Sequence, residues 1–507
     1  MSEKIQSFLN STYRSRIRIF VTVSIFIGGL ARLSFAQDPG FFLNTTLRVD
    51  YFHIADAGSE MFTLDQLYRQ GEWSGNPDYL IDPFPTGNYL FQVYDQKSDE
   101  VIFSRGFSSY CAEYRTTDPA INGIKRTYHE SILIPYPKNP VRLVLKGRDK
   151  KNLLTPVWEV NIDPQDKNIS DLNTVYNLQV QQMISNGPCR EKVDLVFIAE
   201  GYTSGDRTKF DQDLQRYISI LFNWQPYQSQ KEKFNLYSVF CPSAESGSDE
   251  PHKGLYKNTI LHSSFNSLGS ARYLLTEDNK ALRDIAATVP YDAIVILVNS
   301  PVYGGGGIYN SYAILTVDHP SGEYLFHHEF GHSFAGLADE YYTSDVAYAD
   351  FYPAGVEPID PNLTALLDPK NVKWASFLSP GIDIPTEWHQ HTHDSLQALR
   401  SRNWQDMNTM LADMKQQNIP EDTLTSIRNT YVLRDDDLRN QLNVFFLKHP
   451  QRGKIGVFEG AGYKNKGLYR PTLNSIMNRF APEDKSFYAV NEQHIIKIIH
   501  YYCGIDH

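Results

Sequence analysis

The chain has 507 residues, of which 41% are hydrophobic and 21% charged, and its formal net charge is −11. A chain of this length can bury more than one core, so two globular domains are expected. The acidic balance argues against the basic surface of a nucleic-acid-binding protein, and no nucleic-acid partner is predicted.

Residues 1–36 have the pattern of a secretory signal peptide. A basic n-region ends at Arg18, residues 19–30 form an apolar run, and Ser34 and Ala36 are the small residues that a signal peptidase reads. The run is shorter than the roughly 20 residues that span a bilayer, so a membrane anchor is less favoured. Cleavage after Ala36 is therefore predicted. The protein is expected to be periplasmic, at the cell surface or secreted, and to meet the membrane only through this signal.

Residues 37–165 are predicted to form an N-terminal antiparallel β-sandwich domain. Its evidence is a set of stretches rich in β-branched and aromatic residues, bounded by Gly, Pro, Asn and Asp, with no long helical period between them. The stretches are 47–52, 89–94, 101–107, 131–136, 141–146 and 157–162. Such a domain either binds substrate or braces its neighbour, and bracing is the preferred interpretation.

A polar segment, 164–173, marks the boundary before a second domain at 174–507. Apolar runs of strand length at 193–199 and 293–298 predict buried strands. Between them, one helical face carries Phe210, Leu214, Tyr217 and Leu221. These patterns together predict an α/β domain.

Two further segments precede the strongest motif of the chain. Residues 303–310, YGGGGIYN, lack the Lys of a phosphate-binding loop and are predicted to form a flap or tight turn beside a cleft. Residues 312–317 are predicted to form a strand. That strand either pairs with an extended peptide at a sheet edge or lies in the sheet interior.

The strongest chemical signal is the HExxH motif of His328, Glu329 and His332. Two histidines at this spacing lie on one face of a helix, where neutral imidazoles can both bind one zinc ion. Glu329 lies beside the metal, where its carboxylate can accept a proton from water. The alternative is a chance motif on a surface helix. His327 points roughly 100° away from the first ligand and is predicted to be an ordinary packed histidine.

A catalytic zinc site needs three protein ligands and an open position for water. Gly336 follows His332 and can end the helix in a left-handed conformation, which allows the chain to turn back. Either Asp339 or Glu340 could then be the third ligand, and Asp339 is favoured.

A partly helical insertion is predicted at about 387–450. His389, His391 and His393 alternate at its start and would share one side of an extended chain, so a second metal site is conceivable there. An exposed segment is the simpler interpretation. The four cysteines show no CxxC spacing, and buried free thiols are favoured over one or two disulfides.

Met477 lies in the segment TLNSIMN, 472–478. It is predicted to form an apolar floor beneath the histidines, as the methionine turn does in metzincin-type zinc enzymes; ordinary core packing is the alternative. A closing helix with Ile495, Ile498 and Ile499 can pack on it. Tyr469 is a candidate oxyanion-stabilising group, with ordinary packing at least as favoured.

Three segments together resemble the bacterial IgA-peptidase-like family of zinc metallopeptidases. They are HEFGHSFAGLADEY (328–341), FEGAGYKNKGLYRP (458–471) and SIMNR (475–479). The resemblance covers most of the chain from about Phe41 onward. It is similar in pattern to the metzincins, although Gly336 and Asp339 each stand one residue further from His332 than in that motif. It implies a Zn²⁺ cofactor and a protein or glycoprotein substrate.

The sequence thus predicts a multidomain α+β fold, with the β-sandwich followed by an α/β zincin (metzincin-like) catalytic domain. The expected activity is that of an exported zinc-dependent endopeptidase with Glu329 as general base. The alternatives are a surface binding or scaffold protein with a structural zinc site and a zinc hydrolase of non-protein substrates. A structural zinc site is normally closed by four protein ligands. The presence of Glu329, a candidate proton acceptor beside the metal, favours a catalytic site instead.

Overall fold

The computed structural model describes residues 40–171, 176, 178–342, 351–478 and 486–506. The predicted signal segment 1–36 lies outside these ranges, as does Arg479 of SIMNR. Among the helices of these ranges, none combines the length and the apolar character that a membrane span requires.

The N-terminal part consists of two four-stranded sheets and two short helices. Its elements in chain order are β1 (Phe42–Ala55), β2 (Glu60–Arg69), β3 (Tyr89–Asp95), β4 (Val101–Phe107), α1 (Tyr110–Tyr114), α2 (Asp118–Ile121), β5 (Arg126–Pro137), β6 (Val141–Arg148), β7 (Leu154–Ile162) and β8 (Ser170–Asp171). The strand orders are β5-β1-β2-β8 and β4-β3-β6-β7. The pairs β1–β2, β3–β4, β3–β6 and β6–β7 are antiparallel, and β2–β8 is parallel.

The two sheets pack face to face through aromatic side chains. The ring of Trp158 on β7 lies 5.4 Å from Tyr51 of β1 and 6.2 Å from Phe62 of β2. The predicted N-terminal sandwich is confirmed, and each of its six predicted strands is present. The sequence did not indicate β2, because its apolar residues do not alternate regularly with polar ones and half of its residues are exposed.

The second part is a mixed α/β structure, as predicted. Its elements are β9 (Gln179–Ile184), β10 (Val193–Glu200), α3 (Arg207–Phe222), β11 (Phe234–Phe240), α4 (Asn279–Ala286), β12 (Ala293–Val298), β13 (Gly305–Ile308), β14 (Tyr312–Thr316), α5 (Gly322–Ala335), α6 (Gln390–Gln416), α7 (Glu421–Lys448), β15 (Ile455–Ala461), β16 (Lys464–Thr472) and α8 (Tyr488–Cys503).

A six-stranded sheet with the order β13-β14-β12-β10-β11-β9 forms the centre of this part. The four inner strands are parallel, and the two edge strands are antiparallel to their neighbours. Strands β10 and β11 are buried along their whole length, which explains their continuous apolar character. The glycine-rich segment is not a flap, because Gly305–Ile308 forms the edge strand β13. Strand β14 therefore lies in the interior of the sheet, which is one of the two alternatives that the sequence left open.

Both faces of this sheet are covered. On one face Phe197 of β10 shares a core with side chains of α3, α5 and α8. On the other face Val196 shares a core with Leu282 of α4 and with Tyr110 and Tyr128 of the N-terminal part. The N-terminal part thus contributes directly to the core on one face of the six-stranded sheet.

Helices α6 and α7 form a hairpin in the predicted helical segment. They have a small apolar cluster of their own, built from Met407, Leu411 and Leu424. The two ends of the hairpin meet, since His389 Nδ1 lies 3.1 Å from His449 Nε2.

Candidate metal centre and active site

Helix α5, which carries the HExxH motif, has one face in the hydrophobic core and another at a cleft. Phe326, Phe330 and Phe334 recur every fourth residue, and their rings stack at 5.8 and 5.0 Å inside the core. Residues four apart share one helix face, so the same spacing aligns His328 and His332 along a second face. That second face borders a cleft of about 750 Å³.

Gly336 ends α5 and turns the chain back, as the sequence indicates. It has φ 60° and ψ 31°, the left-handed conformation that glycine adopts most easily. A Cβ at this position would lie 2.3 Å from Thr86 Cγ2, so the turn also fits tightly against the N-terminal part. The reversal brings Asp339 to the two histidines.

Three side-chain atoms converge at this point. His328 Nε2 and His332 Nε2 are 3.2 Å apart. Asp339 Oδ1 lies 3.1 Å from the first and 3.3 Å from the second. The group is one that could hold a metal ion.

The hydrogen bonds around the centre favour a cation between these atoms. His328 Nδ1 lies 2.9 Å from Ile476 O, and His332 Nδ1 lies 2.6 Å from Leu337 O. A carbonyl can only accept, so both Nδ1 atoms carry a hydrogen, and in the neutral imidazoles both Nε2 atoms present lone pairs towards Asp339. In the absence of a metal ion, a proton on an imidazole supplies the positive charge between these atoms. A metal ion can replace that proton, and the set of two nitrogens and one oxygen suits zinc.

Electrostatics support the same conclusion. Burial lowers the pKa of His332, but the negative charge of Asp339 outweighs it and raises this pKa to about 9. Burial alone would raise the pKa of Asp339, yet His332 and His328 hold it well below its usual range. The carboxylate therefore stays charged, and the site attracts positive charge.

Glu340 points away from this centre. Its Oε1 accepts from Asn362 Nδ2 at 3.0 Å and from Asn491 Nδ2 at 2.8 Å, and its Oε2 accepts from Ser475 Oγ at 2.7 Å. The side chain is completely buried. Of the two carboxylates that the sequence offers as third ligand, only Asp339 lies beside the histidines.

Met477 lies under α5 between the two histidines. It is fully buried, and a Cβ at Gly331 would lie 2.9 Å from its Sδ. The carbonyl of Met477 accepts a hydrogen bond from the Glu340 N–H at 2.8 Å. Met477 therefore packs directly against α5 at Gly331.

Glu329 faces the cleft rather than the core. Its Oε1 would lie 3.2 Å from a Cβ at Gly305, so the edge strand β13 runs directly beside the carboxylate. Burial raises the pKa of Glu329, which the two histidines partly offset. A carboxylate with a raised pKa is a better proton acceptor near neutral pH.

Comparison with known families gives two matches. The family model described as IgA Peptidase M64 matches residues 181–499, and the model of the Peptidase M64 N-terminus matches residues 39–159. The chain belongs to the IgA peptidase M64 family. It is a metallopeptidase and hydrolyses peptide bonds, and a protein substrate follows. No curated protein matches this M64 peptidase.

Several residues of the cleft come from distant parts of the M64 chain and were not predicted. Tyr463 donates a hydrogen bond to Asp339 Oδ2, which leaves Oδ1 to face the histidines. Glu113 of α1 lines the cleft and accepts a hydrogen bond from the Tyr273 hydroxyl at 2.6 Å; burial raises its pKa to about 7. Tyr463 falls within the motif FEGAGYKNKGLYRP, the one sequence signal that could have identified it.

Other candidate residues lie elsewhere in the M64 peptidase. Tyr469 packs beside Val457 and Trp374 and does not line the cleft. His327 is buried and stacks on Trp224 at 4.3 Å, as predicted. All four cysteines are in described ranges and are free.

The three histidines of HQHTH do not form a second metal site. His389 precedes α6, and the next two lie within its first turn. A helix turns successive residues by about 100°, so His391 and His393 do not share a side as they would in a strand. His393 is buried and its Nδ1 lies 2.7 Å from the Tyr342 hydroxyl.

A second His and Asp group lies on the first N-terminal sheet, where His129 Nε2 is 3.5 Å from both Asp50 Oδ2 and Asp65 Oδ2. Ser131 Oγ donates to Asp50, so it must accept from Asn279 Nδ2 at 2.9 Å. The same amide nitrogen lies 3.1 Å from His129 Nδ1, which is therefore an acceptor. The neutral ring then carries its hydrogen on Nε2, but this atom makes no hydrogen bond to either carboxylate, and Asp50 Oδ2 receives none. This group is a second set of side chains that could hold a metal ion, with wider spacing than the centre on α5.

The glycines of β13 let this strand approach α5. A Cβ at Gly307 would lie 2.3 Å from the Glu329 carbonyl oxygen and 2.9 Å from His332 Cβ. We expect Gly307→Ala to lower the free energy of unfolding by about 2–3 kcal/mol, since β13 must move off the helix. Urea unfolding measures this. Gly205→Ala is the matched control, because its Cβ would meet only Thr203 Oγ1 at 3.7 Å. Equal midpoints for the two variants would contradict the close packing of β13.

Proposed function

We propose that this M64 peptidase is an exported zinc-dependent endopeptidase whose zinc is held by His328, His332 and Asp339. The observation that carries the proposal is the convergence of two imidazole nitrogens and one carboxylate oxygen within 3.3 Å. Lone pairs at such distances repel unless a cation lies among them. The two-nitrogen, one-oxygen donor set leaves room for the fourth position that catalysis needs.

Bound zinc supplies a Lewis acid that polarises water and the scissile carbonyl. Glu329 accepts the proton of the attacking water on its carboxylate and then donates it to the departing amine. Tyr463 and the two backbone carbonyls at Nδ1 fix the orientation of the ligands through hydrogen bonds. Met477 supports the helix from below.

The edge strand β13 supports an extended substrate. Gly305, Gly307 and Ile308 line the cleft, and β13 is the outermost strand of its sheet. On its outer side, Leu274 N–H donates to Gly305 O, so the edge available to a peptide begins after Gly305. A peptide can add to such an edge through main-chain hydrogen bonds. Because this mode does not require a free terminus, it favours internal cleavage of proteins or glycoproteins.

Metal content tests the proposal. We expect one zinc per chain in purified residues 37–507, and its loss in both His332→Ala and Asp339→Ala. His391→Ala is the matched control, since this histidine is exposed on α6 and should leave the zinc content unchanged. Zinc retained by Asp339→Ala would contradict the proposed ligand set, and no zinc in the parent protein would contradict the zinc proposal itself.

Export is proposed from the leader sequence. The basic segment, apolar run and Ala36 support removal of residues 1–36. N-terminal sequencing of the protein from producing cells should begin at Gln37. An intact Met1 on an intracellular protein would contradict export.

A further inference from the structure

One wall of the catalytic cleft belongs to the N-terminal part. Thr86, Tyr89, Glu113, Arg148 and Asn152 line the same cleft as His328, Glu329 and Asp339. Bracing is therefore not the whole role of this part, since its side chains meet the substrate space. Among them, Arg148 at the end of β6 has an unusual set of partners.

The Arg148 guanidinium is held by backbone carbonyls alone. Its Nε donates to Gly87 O at 2.7 Å, Nη1 to Asn152 O at 2.9 Å and Nη2 to Pro85 O at 2.9 Å. A guanidinium has five N–H groups, so two remain available for another acceptor. The three bonds fix the group before any ligand arrives, which reduces the entropy that binding would lose.

These anchors place Arg148 near the metal centre. Pro85 and Gly87 flank Thr86, and Thr86 fits against Gly336 at the turn between His332 and Asp339. The loop whose carbonyls hold the guanidinium is thus in direct contact with the turn that precedes the third ligand. Arg148 and the turn at Gly336 therefore contact the same loop, residues 85–87.

Among the residues that the structure describes, no carboxylate lies within 4.0 Å of the Arg148 guanidinium, the distance that defines an ion pair. By contrast, Arg115 in the same wall pairs with Glu60 at 2.7 Å. Asp149 is exposed, and its Oδ1 accepts from the N–H groups of Lys151 and Leu153 in its own turn.

The remaining acidic neighbour is Asp360, which also lines the cleft. Burial raises the pKa of Asp360 and so disfavours its charged form. Asp360 acts on Arg148 electrostatically, but burial of the guanidinium outweighs this effect and lowers the pKa of Arg148. A partly buried, pre-oriented guanidinium that forms no ion pair within the described residues can bind a carboxylate.

We propose that Arg148 determines specificity by binding a carboxylate of the peptide substrate, so that the cleft prefers acidic peptides. This inference rests on the proposed peptidase centre and adds the substrate class. The carboxylate comes either from an Asp or Glu side chain or from the C-terminus of the peptide. Both offer the same two-oxygen acceptor to the two remaining N–H groups.

Binding to a protein with Glu329→Gln tests this without hydrolysis. The probe is a random decapeptide mixture, prepared once with free C-termini and once amidated, passed over immobilised protein and sequenced after elution. Three proteins are compared, carrying Glu329→Gln alone, with Arg148→Gln, and with Arg142→Gln. Arg142 lies on the same strand but pairs with Asp99 and does not line the cleft.

We expect Glu329→Gln protein to enrich acidic peptides about ten- to a hundredfold, the range for hydrogen bonds between charged groups. Enrichment of Asp and Glu in the amidated mixture identifies a side-chain carboxylate, and preference for free over amidated peptides identifies the C-terminus. Arg148→Gln should abolish the preference, and Arg142→Gln should retain it.

No preference in the Glu329→Gln protein, or its survival in Arg148→Gln, would overturn the inference. Circular dichroism checks folding. If Arg148→Gln does not fold, Arg148→Lys replaces it and should weaken the preference, because an ammonium cannot bridge three carbonyls and a ligand. Hydrolysis of the same mixture by the parent protein is measured separately, and its failure would count against the endopeptidase proposal alone.

Discussion

Glu329→Gln is expected to lower kcat/KM by about a thousandfold or more while leaving the metal bound. General acid–base catalysis by one side chain contributes about 10²–10⁴-fold. Glutamine has the same size and cannot accept the proton of the attacking water. The side chain lies beside Gly305 and is not among the three converging ligand atoms, so the metal site should persist.

The measurement is steady-state cleavage of a fluorogenic peptide, with zinc content determined on the same preparation. Glu323→Gln is the control, because Glu323 lies on the same helix and its Oε1 accepts a hydrogen bond from Trp224 that glutamine can also accept. It should retain activity within about twofold. Full activity in Glu329→Gln would show that another group takes the proton.

Glu340→Ala is expected to destabilise the protein by about 3 kcal/mol or more, the largest stability effect that we foresee. The substitution leaves the buried donors of Asn362, Asn491 and Ser475 without an acceptor, and each such group costs about 1–3 kcal/mol. These donors belong to a loop, to helix α8 and to the segment before Met477. Glu340 therefore joins three separate stretches of chain below the metal centre.

Urea unfolding of the metal-free protein measures this effect apart from metal binding. The matched comparison is the adjacent Asp339→Ala, which leaves one hydrogen-bond donor, Tyr463, without its acceptor, against three for Glu340→Ala, and should change the midpoint of the metal-free protein less. The two neighbours are thus expected to separate, one affecting metal binding and the other folding. An unchanged unfolding midpoint for Glu340→Ala together with loss of zinc would show that Glu340 binds the metal and does not stabilise the fold.

Local periodicity accounts for the parts of the site that the sequence predicts. The spacing of His328 and His332 fixes their relative position on a helix, and Gly336 indicates where that helix ends. The choice between Asp339 and Glu340 did not follow from spacing. It depends on Asn362, Ser475 and Asn491, which donate hydrogen bonds to Glu340 and hold it away from the metal centre. These partners lie at distant positions in the chain, and one sequence does not reveal them.

Two other features escape sequence patterns for physical reasons. Strand β13 consists mainly of glycine, so it has no side chains to alternate, although the absence of Cβ atoms is what lets it pack on α5. Arg148 reads as an ordinary charged residue at the end of a strand. Only the arrangement of Pro85, Gly87 and Asn152 around it shows that it is fixed, and this depends on the tertiary fold.

The meeting of His389 and His449 has a consequence for how this family can diversify. Chain entering the helical hairpin leaves it at almost the same point, and the far end of the hairpin is held by its own apolar cluster. Such a segment can be lengthened, shortened or exchanged while the strands on either side keep their places. Variation at the far end of this hairpin can therefore accumulate independently of the metal centre, as in an appended module.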